Sequence, residues 1–182
     1  NINMKGLLKR LSLVVVTLAV SMQVVALAKG ANEKELELFT NHVFHLSEVM
    51  LRDATSPPAA SRVYAYAMLG AYEVTAMLKG RAPYLNKRLQ VDPTIRAGDP
   101  PRKADLAFCS NYVMMEIGRQ LMPSGYMLEE RKQALVDRLN ASRRFNEREV
   151  SQQVRFAEEV AEQVVAYAKT DGYNKLSTYT RY

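Results

Sequence analysis

The sequence predicts an all-α protein, a bundle of about five helices that follows a signal peptide and forms half of a larger helical domain. Apolar residues recur three and four positions apart through most of the chain, which is typical of amphipathic helices. No segment shows the two-residue alternation of a half-buried strand. Proline- and glycine-containing breaks separate the helical stretches, and these breaks define the elements in chain order.

The amino terminus has the pattern of a secretory signal peptide. Three cations follow the first methionine in a stretch without acidic residues: Lys5, Lys9 and Arg10. An uncharged apolar run of about 18 residues, 11–28, comes next and ends in Ala26-Leu27-Ala28, a suitable cleavage site. We therefore predict a signal peptide at 1–28, a helical domain at 29–182, a periplasmic or secreted location, and membrane contact only transiently through the signal peptide. A retained membrane anchor is the alternative, because the run is close to the minimum length of a transmembrane helix.

Charge and cysteine content restrict the function classes. The formal charge is +6, and three of the cations lie in the signal peptide, so the remaining chain carries +3. Its cations alternate with acidic residues, as on solvated helix faces, and we predict no nucleic-acid binding. Cys109 is the single cysteine, which excludes an intramolecular disulfide and a cysteine-rich metal site. Its apolar helical surroundings predict a buried, structural thiol.

The first two helices are predicted at 33–52 and 57–79. Apolar residues in the first form one stripe: Leu36, Phe39, Val43, Leu46 and Met50. In the second, Ser56 is a candidate N-cap, Pro57 occupies the first turn and Gly80 is a C-terminal stop. Small residues on this helix permit close approach of a neighbour, which predicts a central position: Ala60, Val63, Ala67, Gly70, Ala71 and Val74.

Three further helices follow a linker at 80–100 that is rich in proline. They are predicted at 101–122, 127–142 and 146–170. Asp99 is a candidate cap for the first of them, and Asn146 with Glu149 forms a capping-box-like start for the last.

The two histidines, His42 and His45, lie three residues apart, and Glu48 follows after three more. On one helix face this spacing could bind a metal ion, but the sequence offers no further histidine or cysteine to complete the ligand set. The interpretation we favour is that both histidines flank the buried stripe of the first helix.

The run Pro123-Ser124-Gly125-Tyr126 invites comparison with Pro-Ser-Gly-His, in which a histidine lies beside phosphate-binding backbone amides. Tyr126 cannot act as an imidazole, so we interpret the run as a helix stop with Ser124 available for capping. Ser142-Arg143 likewise has no histidine after it. Three tyrosines are interpreted as packing residues: Tyr64, Tyr66 and Tyr72. We predict no catalytic, cofactor-binding or metal-ligating residue in this chain.

Several runs resemble a known family. Ser56-Pro57-Pro58-Ala59-Ala60-Ser61-Arg62-Val63-Tyr64-Ala65-Tyr66, followed by Ala71-Tyr72-Glu73, is similar to the amino-terminal part of bacterial vanadium-dependent haloperoxidase-like proteins of the type 2 phosphatidic acid phosphatase superfamily. Three shorter runs are also similar to the family: Ala166-Tyr167-Ala168, Asp171-Gly172-Tyr173 and Tyr179-Thr180-Arg181-Tyr182. The resemblance covers roughly 33–182.

The resemblance implies an all-helical bundle with a phosphate or vanadate pocket. That pocket is built from a lysine with a downstream Arg-Pro, a Pro-Ser-Gly-His run, and a Ser-Arg run ending in histidine. In the family all three come after the part matched here, and none is present in this chain. The complete protein would hydrolyse phosphate esters or oxidise halide with peroxide, with vanadate as its cofactor. This chain alone is expected to be inactive.

Two further expectations concern partners. A missing carboxy-terminal helical half, or self-association, would cover the wide apolar faces of the second, third and fifth helices. The alternative function is a complete, non-catalytic periplasmic helical module that binds a partner through its exposed apolar face.

Overall fold

The computed structural model of the chain describes residues 33–80, 99–173 and 175. All regular structure within these ranges is helical, so the predicted all-α class is confirmed. The five helices are α1 at 33–52, α2 at Pro57–Lys79, α3 at Leu106–Leu121, α4 at Glu129–Ala141 and α5 at Glu147–Ala168. A short 3₁₀ helix, Gly125–Leu128, precedes α4. The predicted signal peptide lies outside the described residues. None of the helices in the described ranges is both long enough and apolar enough to cross a membrane.

The chain divides into two compact units, Asn1–Asn41 and His42–Tyr182. In the first unit, 33–41 are helical, and the Thr40 hydroxyl donates to the Leu36 carbonyl at 2.8 Å. The remainder of α1 and all of α2 to α5 belong to the second unit.

Helix α3 forms the centre of the second unit. It contacts α2, α4 and α5, and its buried residues run without interruption from Asn111 to Gly118. A helix that is buried on all sides must be apolar nearly all round, and α3 meets this requirement. The sequence predicted α2 as the central helix, whereas the structure gives that position to α3 and packs α2 against it.

The small residues of α2 nevertheless permit the close approach that the sequence predicted. A Cβ atom added to Gly70 would lie 2.3 Å from Ile117 Cδ1 and 3.2 Å from Val113 Cγ2. Both neighbours are fully buried in α3. The absence of a side chain at Gly70 therefore sets the distance between α2 and α3.

Helix ends confirm some of the predicted caps and correct others. Gly80 ends α2 in the left-handed conformation with φ of 59°, and Asn146 with Glu149 forms a complete capping box on α5. Helix α3 begins at Leu106 rather than at 101, because the Asp105 carboxylate, not Asp99, accepts the first-turn N–H of Phe108.

Two other predicted caps are not made through side chains. Ser56 lies at the N-cap position of α2 and Ser124 at that of the 3₁₀ helix, but neither side chain accepts a capping hydrogen bond. Helix α4 begins at Glu129 instead of 127 because the 3₁₀ helix takes up the preceding turn.

A buried ion pair joins α3 to α4. Lys132 Nζ lies 2.5 Å from Glu116 Oε2, and both side chains are only 5% exposed. Arg119 and Gln120 also donate to the Glu116 carboxylate. Burial alone raises the pKa of Glu116, but the hydrogen bonds from Arg119, Lys132 and Gln120 outweigh it and lower that pKa to about 2. This ion pair links α4 to α3 and adds to the burial of Leu135 and Leu139, while most of α4 is exposed.

We predict that Gly70→Val destabilises the protein by about 1–3 kcal/mol or more, because the added carbons overlap the buried side chain of Ile117. Ala65→Val is the matched control, since it introduces the same side chain at an exposed position of the same helix. Urea denaturation measures both variants. Equal midpoints for the two would contradict the close contact.

We also predict an acid-sensitive contribution from Glu116. Its pKa is lower in the folded chain than in the unfolded one, so its stabilisation is complete above about pH 4.5 and is lost as the pH falls towards 2. The free energy of unfolding should fall by about 1–3 kcal/mol over this interval through Glu116. In Glu116→Gln the free energy of unfolding should fall less over this pH interval, because the ionising group is gone. In Glu130→Gln, which changes an exposed site on α4, it should fall as much as in the wild type. Identical acid profiles for wild type and Glu116→Gln would refute the assignment.

Candidate functional site

The histidine pair of α1 does not form the metal site considered from the sequence. His45 Nδ1 lies 2.8 Å from Glu48 Oε2, and this hydrogen bond lowers the pKa of Glu48. The rings of His42 and His45 meet edge to face with centroids 5.9 Å apart, and His42 is buried. Among the described residues, no group of three histidine, cysteine, aspartate or glutamate side chains is arranged to hold a metal ion. His42 lies on the buried side of α1 with Leu46 and Met50, whereas Leu36 of the predicted stripe is 65% exposed.

The backbone N–H groups of the turn at Pro123-Ser124-Gly125 already donate hydrogen bonds within the protein. The Ser124 N–H donates to Asp53 Oδ2 at 3.0 Å, and the Gly125 N–H donates to the Met122 carbonyl at 3.0 Å. Hydrogen bonds from Ser124 lower the pKa of Asp53, so its carboxylate stays charged at neutral pH. A phosphate or vanadate oxyanion needs free donors, and here it would meet a carboxylate instead. The residues of this turn do not fit an oxyanion.

A groove of about 520 Å³ lies between 99–103 and α5. Cations and acidic residues line it in equal number: Arg102, Lys103, Arg155, Asp99, Glu149 and Glu159. Balanced charges give no net attraction for an anion, so this groove also lacks the character of an oxyanion pocket.

Cys109 is fully buried, as predicted. Burial raises the pKa of its thiol to about 12, and the nearby Asp105 carboxylate adds to the effect. A protonated, inaccessible thiol is a poor nucleophile, so Cys109 has a structural role in the core.

The most elaborate polar arrangement joins α2 to the carboxyl end of α5. Arg62 Nε donates to Asp171 Oδ2 at 2.6 Å, and a second nitrogen of the same guanidinium donates to the Ala168 carbonyl at 2.7 Å. The Tyr66 hydroxyl donates to Asp171 Oδ2 at 3.0 Å, and the Tyr173 N–H donates to Asp171 Oδ1 at 2.9 Å. We call these five residues the Arg62–Asp171 cluster.

Aromatic rings enclose the guanidinium of this cluster. The Arg62 Cζ lies 5.2 Å from the centre of the Tyr66 ring and 5.0 Å from that of Tyr173, both within cation–π range. Tyr66 also packs edge to face on Tyr167 of α5. The guanidinium is thus bound by a carboxylate, a helix-terminal carbonyl and two rings, which matches the geometry that arginine supplies and lysine does not.

The protonation states of the cluster are fixed at neutral pH. Burial and the hydrogen bond to Asp171 raise the pKa of Tyr66 to about 12, so its hydroxyl remains a donor. Burial alone raises the pKa of Asp171, but the Tyr173 N–H, Arg62 and Tyr66 together lower it below its usual value. Three hydrogen bonds from Arg62 and Tyr66 of α2 reach Ala168 and Asp171, so the cluster acts as a clamp on the end of α5.

This contact was not predicted from the sequence. Arg62 and Tyr66 belong to one of the runs that resemble the family, and Asp171 and Tyr173 belong to another, so the resemblance identified the residues but not their pairing. The structure brings these two runs together across more than 100 positions of sequence. The other tyrosines fit the packing interpretation, since Tyr64 is half-buried and shares a 2.6 Å hydrogen bond with Ser47 of α1.

We predict that Arg62→Gln frees the end of α5 and destabilises the protein by roughly 1–3 kcal/mol, because it removes two charge-assisted hydrogen bonds. Amide hydrogen exchange of 169–173 should accelerate, which a loss of stability elsewhere would not cause selectively. Arg155→Gln is the control, since Arg155 is exposed on α5 and makes no ion pair within the described ranges. Unchanged exchange at 169–173 would rule out the clamp.

Comparison with known proteins finds a likeness among solved structures. No protein-family profile and no curated protein sequence matches the chain. Among solved structures, a bacterial vanadium-dependent iodoperoxidase matches 81% of this chain with a TM-score of 0.67 and 22% sequence identity. The chain spans only 35% of the length of that iodoperoxidase. At this level of identity the likeness concerns the fold, and the chain has a vanadium haloperoxidase-like fold over the part that matches.

Proposed function

We propose that this chain is the exported amino-terminal helical part of an enzyme of the vanadium haloperoxidase and type 2 phosphatidic acid phosphatase kind. The complete protein would hydrolyse phosphate esters or oxidise halide with peroxide. The observation that carries the proposal is the structural match, in which most of this chain corresponds to about a third of the iodoperoxidase. Two runs that resemble the phosphatase superfamily meet in the Arg62–Asp171 cluster, which supports the same relationship.

On this proposal the oxyanion pocket lies in sequence beyond Tyr182. Such a pocket needs cations, free backbone amides and a histidine that attacks phosphorus or coordinates vanadium. The residues described here do not fit that group, because the amide donors of Ser124 and Gly125 are paired and His45 forms a hydrogen bond with Glu48. No step of the reaction is therefore assigned to this chain, and its contribution is the helical scaffold. The expected location is the periplasm or the exterior, reached through the signal peptide at 1–28.

A second candidate function is a non-catalytic periplasmic helical module that binds a partner protein. The observation in its favour is the exposure of large apolar side chains on α1, namely Phe44 at 63% and Leu51 at 80%. The reading frame distinguishes the two candidates. A continuation that encodes Arg-Pro, Pro-Ser-Gly-His and Ser-Arg…His runs favours the enzyme, and a stop codon after Tyr182 favours the module.

We predict that the purified chain of 182 residues hydrolyses no aryl phosphate, oxidises no iodide with peroxide and binds no orthovanadate. The product of the complete reading frame, purified in the same way, should show at least one of the two activities. A mock purification from the host controls for contaminating phosphatase. Turnover by the short chain that persists through successive purification steps would overturn the proposal.

A further inference from the structure

Asp171 and Gly172 form a dipeptide whose peptide bond is chemically labile in flexible chains. The backbone nitrogen that follows an aspartate can attack the side-chain carboxyl carbon, and glycine hinders this attack least because it has no side chain. Asp171 is the only aspartate or asparagine in the sequence that precedes a glycine. Its side chain is 26% exposed, so water can reach it. These two residues are therefore the place in the chain where the reaction is most favoured.

The reaction rearranges the backbone and needs no reagent other than water. The Gly172 nitrogen bonds to Asp171 Cγ, and the proton of that nitrogen leaves with the carboxyl hydroxyl as water, which gives a cyclic succinimide. A water molecule then adds to one of the two ring carbonyls and breaks its bond to the nitrogen. Addition at the former backbone carbonyl leaves isoaspartate, in which the chain runs through the former side chain of Asp171.

The hydrogen bonds of the Arg62–Asp171 cluster oppose the ring-closing step. Asp171 Oδ2 accepts from Arg62 Nε at 2.6 Å and from the Tyr66 hydroxyl at 3.0 Å. Oδ1 accepts from the Tyr173 N–H at 2.9 Å, which is the second amide after Asp171 and not the first. Ring closure requires the carboxyl carbon to turn onto the Gly172 nitrogen and to lose an oxygen. The bonds to both oxygens must therefore be given up first.

The charge of Asp171 opposes the same step. A carboxylate anion resists attack by a nucleophile, and its oxygen leaves as water only after protonation. Burial acts in the direction of protonation, but the hydrogen bonds from Tyr173, Arg62 and Tyr66 outweigh it and keep the pKa of Asp171 below its usual value. The side chain thus stays ionised at neutral pH while the clamp is closed.

The turn itself requires the residue that makes the bond labile. Gly172 has φ of 76°, in the left-handed region that glycine adopts without strain and other residues rarely adopt. A bulkier residue would slow the attack on Asp171 but would strain this turn. Protection must therefore come from the contacts of Asp171 and not from a replacement of Gly172.

We propose that Asp171–Gly172 is a site of spontaneous aspartyl isomerisation and that the Arg62–Asp171 cluster protects it. Isoaspartate carries its carboxylate one carbon closer to the chain and adds that carbon to the backbone, so the bonds to Arg62 and Tyr173 cannot both re-form. The modification would release the end of α5 from α2. This chemistry does not depend on the proposed function, because it involves only residues of α2 and of the chain at 168–173.

Peptide mapping of the aged protein tests the proposal. The 182-residue chain, its Arg62→Gln variant and a synthetic peptide of residues 167–175 are incubated at neutral pH and one temperature. Trypsin cuts after Lys169 and Lys175 and releases residues 170–175, whose aspartyl and isoaspartyl forms separate by reversed-phase chromatography. Arg155→Gln is the matched control, because it makes the same change at an exposed position of α5 outside the cluster.

The folded wild type should form isoaspartate about tenfold or more slowly than the peptide, and Arg62→Gln should form it about fivefold or more faster than the wild type. Arg155→Gln should match the wild type. Tyr66→Phe keeps the ring beside Arg62 and removes one hydrogen bond to Asp171, so it should give a smaller increase. It replaces Arg62→Gln should circular dichroism show that the latter does not fold.

Two kinds of result would contradict the proposal. A peptide without detectable isoaspartate would show that the bond is not labile. Equal rates in the wild type and the peptide, or in the wild type and the cluster variant, would show that the cluster gives no protection.

Discussion

The contact between Gly70 and Ile117 fixes the separation of α2 and α3, and much of the bundle depends on it. With no side chain at Gly70, the two backbones approach closely enough for Ile117 and Val113 to fill the space between them. Helix α3 is buried on all sides because α2, α4 and α5 all pack against it. This placement of α2 then brings Arg62 to the end of α5.

Signals from neighbouring residues were sufficient to predict most of the helices. They were not sufficient where a contact with a residue distant in sequence determines the structure. Gly80 and the Asn146 capping box are decided within a few residues, and both were predicted. The start of α3 was misplaced because Asp105 owes its position partly to Gln153 of α5, whose side-chain oxygen accepts the Asp105 N–H at 2.7 Å. The pairing of Arg62 with Asp171 has no local signal at all, so the sequence identified the residues of the cluster without their contact.

The groups that were candidates for an oxyanion or metal site are paired with other residues of the described chain. The Ser124 N–H, which a phosphate would need as a donor, donates to Asp53 instead. His45 forms a hydrogen bond with Glu48. Even the buried Glu116 has three donors of its own. An oxyanion pocket requires the opposite condition, with cations and amides that have no carboxylate nearby. The paired groups at Ser124, His45 and Glu116 do not meet this condition.

The Arg62–Asp171 cluster shows how α2 organises the helices around it. Asp171 and Tyr173 are held against α2 by Arg62, so the chain at 171–173 stays beside this helix. Tyr64 lies two positions after Arg62, so it projects from nearly the opposite side of α2, where its hydroxyl shares a hydrogen bond with Ser47 of α1. Helix α2 is therefore held on two sides, by α1 through Tyr64 and by the end of α5 through Arg62.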